Sequence, residues 1–145
     1  MKREIDKMLR EVAIATTGVE SFGRGANWAD NISDEDKFPR VWIHDIRPND
    51  EINFHVLTTK YIIVGELCSL IDFDQDSDGT IFEETLSTLT PIYQRFITNL
   101  SKDARNKGIK SIRRVELIHK RDANLAGFAF SFQIEIKEIP AQECL

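Results

Sequence analysis

The sequence predicts an α+β domain: an antiparallel sheet built from two hairpins, with an N-terminal helix and one long helix packed on one of its faces. Two observations carry that expectation. Phe128, Phe130, Phe132, Ile134 and Ile136 alternate with Ala129, Ser131, Gln133, Glu135 and Lys137, the period-two pattern of a strand with one buried face. Phe82, Leu86, Leu89, Tyr93, Phe96 and Leu100 recur every three or four residues, the seam of a helix able to cover that face. Burying side chains of this size is worth roughly 1.5–3 kcal/mol each, so strand and helix are driven together.

The 145 residues suit a single domain, 1–145, with a core that needs no metal or disulfide. A net charge of −5 argues against a general grip on nucleic acid. The two cysteines, Cys68 and Cys144, have neither metal-ligand nor redox spacing, which matches a reducing, intracellular setting. The first residues mix acids and bases without an apolar core, so no secretion signal is expected. No stretch is apolar for long enough to span a bilayer, and no membrane partner is expected.

Taken in order, Ile5, Met8, Leu9, Val12 and Ala13 have helical spacing, and Gly18 is a stop signal for a first helix over Lys2–Thr16. Residues 17–37 are rich in Gly, Asn, Asp and Ser and read as a long irregular arm anchored by Phe22 and Trp28. Phe38–Arg47 reads as a strand, with Pro39 at its start where a missing N–H is tolerated. Pro48–Glu51 has turn chemistry, and the pattern from Ile52 to Ile71 returns as the second arm of a hairpin, with a bulge near Gly65.

The helical seam stays in phase across Pro91, predicting one helix kinked there, although Thr90-Pro91 would also serve as N-cap and first residue of a second helix. Asn106-Lys107-Gly108 is its expected stop. Ile109–His119 and Phe128–Lys137 form the last hairpin around a polar turn, and 138–145 is a C-terminal tail.

Candidate chemistry is sparse. Asp74, Asp76 and Asp78, with Gly79 and Ile81, occupy places 1, 3, 5, 6 and 8 of a helix–loop–helix calcium loop. Place 12, which needs a bidentate carboxylate, is Thr85; Glu83 and Glu84 fall short of it. Asp74, Asp76, Asp78 and Glu84 are therefore a weak calcium candidate, and the plainer reading is a solvated loop whose acids favour the start of the following helix. His44 and His55 would face each other if Asn49-Asp50 were a two-residue turn, but two histidines are too few for zinc and no carboxylate is clearly placed on their face. No phosphate loop, nucleophile elbow or Cys/His pairing occurs, so neither catalytic residues nor cofactors are expected and the chain reads as a non-enzyme.

Charge placement says more. Residues 72–84 hold six acids and no base, whereas 102–121 hold eight bases against two acids. A helix of about 20 residues spans roughly 30 Å, which would set these patches at opposite ends of one element. Such a polarity suits head-to-tail contact between copies, the kind that closes into rings. The expected contacts are Asp74, Asp76 and Asp78 on one side and Arg105, Arg113 and Arg114 on the other, with Phe22 and Trp28 docking the arm onto a neighbour. The plain alternative is two solvated faces.

A short N-terminal helix, an irregular arm, a hairpin opening with Phe38-Pro39-Arg40-Val41-Trp42-Ile43, a helix containing Pro91-Ile92-Tyr93-Gln94-Arg95-Phe96 and a final alternating hairpin together resemble the small neck and tail-completion (tail terminator) proteins of tailed bacteriophages. The resemblance covers roughly 5–137 and is one of element order, without a diagnostic motif. It implies a structural virion protein, assembled in the host bacterial cytoplasm, that forms a sixfold or twelvefold ring at the head–tail junction or tail end. Its partners would be copies of itself and the neighbouring neck and tail proteins, and DNA would pass through without specific binding. The alternative is a calcium-modulated or regulatory protein-binding module.

Overall fold

In the computed structural model, which describes residues 2–25, 37–49, 58–72, 78–120 and 124–137, the two sequence patterns meet as expected. The alternating residues belong to strand β5 (Asn124–Lys137) and the apolar seam to helix α2 (Thr80–Lys102). Phe128, Phe130, Phe132, Ile134 and Ile136 are buried, and so are Leu86, Leu89, Ile92, Tyr93, Phe96 and Leu100 on the facing helix. Phe130 is central: its ring lies 5.9 Å from those of Tyr93 and Phe96 and stacks on Phe132 at 5.7 Å.

Helix α1 (Lys2–Ala15) turns Ile5, Met8, Leu9, Val12 and Ala13 into the same core. The chain leaves it through Gly18, which has φ of +102° and lies so close to Ile92 that a Cβ would stand 2.8 Å from that side chain. Only glycine meets both demands without strain. Helix α2 runs unbroken through Pro91, so no second helix starts there. Pro91 is exposed, and the Ser87 carbonyl that loses its i+4 donor lies on the solvent side of the helix. The helix ends at Lys102, earlier than its expected stop. Asn106 still serves that end, donating from Nδ2 to the Leu100 carbonyl at 3.1 Å, while already opening strand β4 (Asn106–Lys120).

The remaining strands are β1 (Ser21–Arg24), β2 (Arg40–Asn49) and β3 (Thr58–Leu70), and the sheet order is β1-β2-β3-β5-β4. All neighbours are antiparallel except β1, which runs parallel to β2. Three local expectations are corrected. The arm expected to be irregular contributes β1, a four-residue edge whose hydrogen bonds come from the distant β2. Asn49 pairs with Lys60, so Asn49-Asp50 is not a two-residue turn. The expected polar turn before Phe128 is shorter, because Leu125 and Ala126 are fully buried within β5.

Bulges set the registers. Residue His44 is the extra residue in β2 opposite Gly65 and Val64, so the bulge expected near Gly65 lies on the partner strand. In β4 the register slips between Lys110 and Arg113, where Ser111 takes φ of +56°, and from Arg113 to Lys120 the pairing with β5 is regular.

Truncating the central ring should test the architecture. Phe130→Ala is expected to destabilise the fold by about 3–5 kcal/mol, the range for deleting a large buried aromatic, measured by denaturant unfolding. An exposed control on the same helix layer, Gln94→Ala, should change stability by less than about 0.5 kcal/mol.

Candidate functional surface

Because α1 and α2 both pack on one side, the other side of the sheet is an open face whose composition follows from the registers. Reading across from β2 to β4, its rows are Arg40, Cys68, Gly127, Leu117; then Trp42, Glu66, Ala129, Val115; then Asp45, Val64, Ser131, Arg113; then Arg47, Ile62, Gln133, Lys110. The first two rows are closed over except at Val115, which stays exposed at the edge. Trp42, Cys68 and Leu125 form a small second core with Phe38 and Leu117 against it, and the Trp42 indole donates to the Gly25 carbonyl at 2.7 Å. The last two rows are open, and Ile62, Ser111, Arg113, Ser131 and Gln133 line a shallow hollow of about 240 Å³ there.

Within the closed rows the structure gathers polar groups that the sequence keeps apart. His44 Nε2 lies 2.8 Å from Glu66 Oε1, and the Cys68 thiol donates to Glu66 Oε2 at 3.8 Å. The Arg40 guanidinium, 2% exposed as a residue, stacks 4.5 Å over Trp42. His44 thus has a carboxylate on its face after all, and its neighbour is Glu66 rather than His55, which lies outside the described residues. Burial, reinforced by the Glu66 charge, pushes the Cys68 thiol far up, so it stays protonated and is no nucleophile at neutral pH. Among the described residues no group of three His, Cys, Asp or Glu side chains is arranged to hold a metal ion, and no helix is long and apolar enough to cross a membrane.

The expected contact residues divide sharply. Arg105 is engaged within its own chain: its guanidinium donates from Nε and Nη2 to the two carboxylate oxygens of Asp103 at 2.9 and 2.8 Å, and from Nη1 to Glu11 Oε2 at 2.8 Å. This clamp fastens the α2–β4 corner to α1 and, by hydrogen bonding, holds the Asp103 carboxyl below its ordinary range. Phe22 is half-buried against the main core with Arg10 4.9 Å above its ring, so it anchors β1 internally. Arg114 lies over Phe128 and Tyr93, at 4.5 and 5.3 Å, on the helix-covered side of β4. Arg113 points to the open face, is exposed, and makes no ion pair among the described residues.

On the acidic side, Asp74, Asp76 and Trp28 lie outside the described residues. Asp78 accepts the Thr80 N–H at 3.0 Å, supplying the cap that Gly79 lacks, and hydrogen bonding from the Thr80 side chain and then its backbone draws the Asp78 carboxyl below the usual range. Glu83 and Glu84 are exposed in the first turns of α2. Thr85, standing where a calcium loop needs its closing carboxylate, donates its hydroxyl to the Ile81 carbonyl at 2.8 Å.

The charges are not at two poles. Strand β4 runs back alongside α2, and 15 residues at about 3.3 Å each outreach a 23-residue helix rising about 1.5 Å per residue. Lys120 therefore returns to the end where Asp72 lies, as its pairing with Asn124 and the bond from Ile71 N to Asn124 O show. The basic stretch becomes an edge: Lys107, Lys110, Arg113 and Arg114 are exposed along β4, which pairs on one side only among the described residues.

No family model matches this sequence, and comparison with curated proteins finds no match.

The corner clamp predicts an acid-dependent stability term. Asp103 has a folded pKa below its ordinary 3.8, so its contribution is complete above that range and is lost as pH falls through the lower folded value. Asp103→Asn should flatten the stability profile below about pH 4 and cost under about 1 kcal/mol at pH 7, since Arg105 is half-exposed and screened by solvent. Unfolding curves between pH 2 and pH 7, a range spanning about 5 units around the carboxylate pKa, would check both.

Proposed function

We propose that this chain is a structural, non-enzymatic subunit that works by assembling with copies of itself. Following the resemblance, the assembly is a ring in a phage neck or at a tail end, between neighbouring virion proteins. The observation that supports this reading is the sorting of charge: exposed Asp72, Asp78, Glu83 and Glu84 cluster around the start of α2, while exposed Lys107, Lys110, Arg113 and Arg114 run along the uncovered edge of β4. An acidic patch and a basic edge on different parts of one surface fit a heterologous contact, repeated around an axis until it closes. A net charge of −5 fits a passage that DNA crosses without being held.

The calcium-modulated alternative has less support. Asp78 is already engaged at the helix start, and Thr85 supplies neither the charge nor the two oxygens of a closing ligand.

Mass measurement in solution tests the proposal. Purified protein at low salt should give a closed oligomer several times the 16.7 kDa chain mass, and rising salt should loosen it as the charges are screened. Arg113→Glu should leave folding unchanged and release smaller species, because this guanidinium has no ion-pair partner among the described residues to lose. A chain that stays solitary at every salt concentration would overturn the reading.

A further inference from the structure

Strand β4 carries more than charge. Of the six large apolar side chains exposed among the described residues, three lie on it: Ile112 at 45%, Val115 at 63% and Ile118 at 45% exposure. They are three residues apart: Ile112 lies in the bulge beside Ser111, and Val115 and Ile118 lie in the regular run that follows it. Edge strands are commonly protected by bulges, prolines or charged side chains, above all lysine. Here the bulge, Lys107 and Lys110 precede the regular run and Lys120 ends it, so the stretch between holds no proline and no lysine, and its Arg113 and Arg114 are followed by Glu116.

We infer that β4 pairs antiparallel with β4 of a second copy about a two-fold axis through Val115. The regular run around Val115 is self-complementary in that register: Arg114 of each copy comes opposite Glu116 of the other, Arg113 opposite Leu117, and Val115 opposite itself. A two-fold across antiparallel strands keeps each face of the sheet continuous, so only registers pairing like-facing residues are allowed. The neighbouring ones fail: centring on Arg114 sets that arginine against its copy, and centring on Glu116 sets carboxylate against carboxylate. In-register parallel pairing aligns every charge with its like.

The register also uses side chains already in place. The Arg114 guanidinium is held over Phe128 on the helix-covered side, the side to which Glu116 of the other copy would project. On the open face the two Val115 side chains would meet between the two Ala129 rows. The outcome is a ten-stranded sheet in which the exposed edge no longer exists and both opposed charge pairs are satisfied.

This pairing goes beyond the ring reading and does not rest on it. Both contacts engage β4, so the pair is the resting form of the free subunit, and a ring contact has to displace it.

Three measurements decide it. At about 0.5 M salt, where surface charge contacts are screened, native mass spectrometry should find the wild-type chain at twice its 16.7 kDa mass. Val115→Cys, in a chain also carrying Cys144→Ser, should form a disulfide-linked dimer on mild oxidation, since cross-strand Cα atoms about 4.5–5.5 Å apart suit that bond; buried Cys68 should not react. Arg114→Glu or Glu116→Arg alone should raise the dimer dissociation constant about tenfold, and the two together should return it to within about threefold. Thermal melts of each variant separate loss of pairing from loss of fold. A wild-type monomer, no Val115→Cys cross-link, or a double variant as weak as the single ones overturns the pairing. Rings at low salt from a chain that is monomeric at high salt and gives no cross-link would sink this inference alone, and a wild-type chain that stays dimeric at every salt concentration would sink the ring reading alone.

Discussion

The fold depends on one demand: the apolar face of β5 has to be covered along its whole length. With β5 lying between β3 and β4, its five large side chains are flanked by Tyr61, Ile63 and Leu67 on one neighbour and Ile109 on the other. The row from Phe128 to Ile136 is about 26 Å long at about 3.3 Å per residue, and α2, with 23 residues rising about 1.5 Å each, is long enough to close over it. Phe130 is the point where strand, helix and neighbouring rows converge, which is why the aromatic contacts concentrate there.

Satisfying that demand decides what is left over. Two helices on one side leave the reverse of the sheet to cover itself, and among the described residues it does so near Trp42, where an indole, a buried arginine and a His–Glu contact fill the first rows. Toward Arg113 the face stays open, and β4 ends the sheet with its outer backbone edge unpaired among the described residues. Charge, exposed aliphatic surface and an incomplete hydrogen-bond ladder thus coincide on a single strand. Each alone is common on protein surfaces; their coincidence is what makes β4 the candidate contact surface.

The tertiary structure also sorts residues that look equivalent in sequence. Arg105, Arg113 and Arg114 belong to one basic stretch, yet the first locks a corner, the third lies on aromatic rings and the second makes neither kind of contact among the described residues. The same holds for Phe22, which is part of its own chain's packing. A fixed guanidinium holds structure together, whereas a free one is available to a neighbour at no cost to the fold.

What the sequence by itself determined is the set of local periodicities. The α1 and α2 seams, the alternation in β5 and the acid-rich and base-rich stretches were all legible, because spacing of 3.6 or 2 places side chains on one face whatever the rest of the chain does. The structure alone decided the parallel β1 edge, the bulge at His44 that brings it to Glu66, the Arg105 clamp and the return of the basic stretch beside α2. Each of these joins residues far apart in sequence through a strand register. A register depends on loop lengths, bulges and which face is buried, quantities that no local pattern of residues contains.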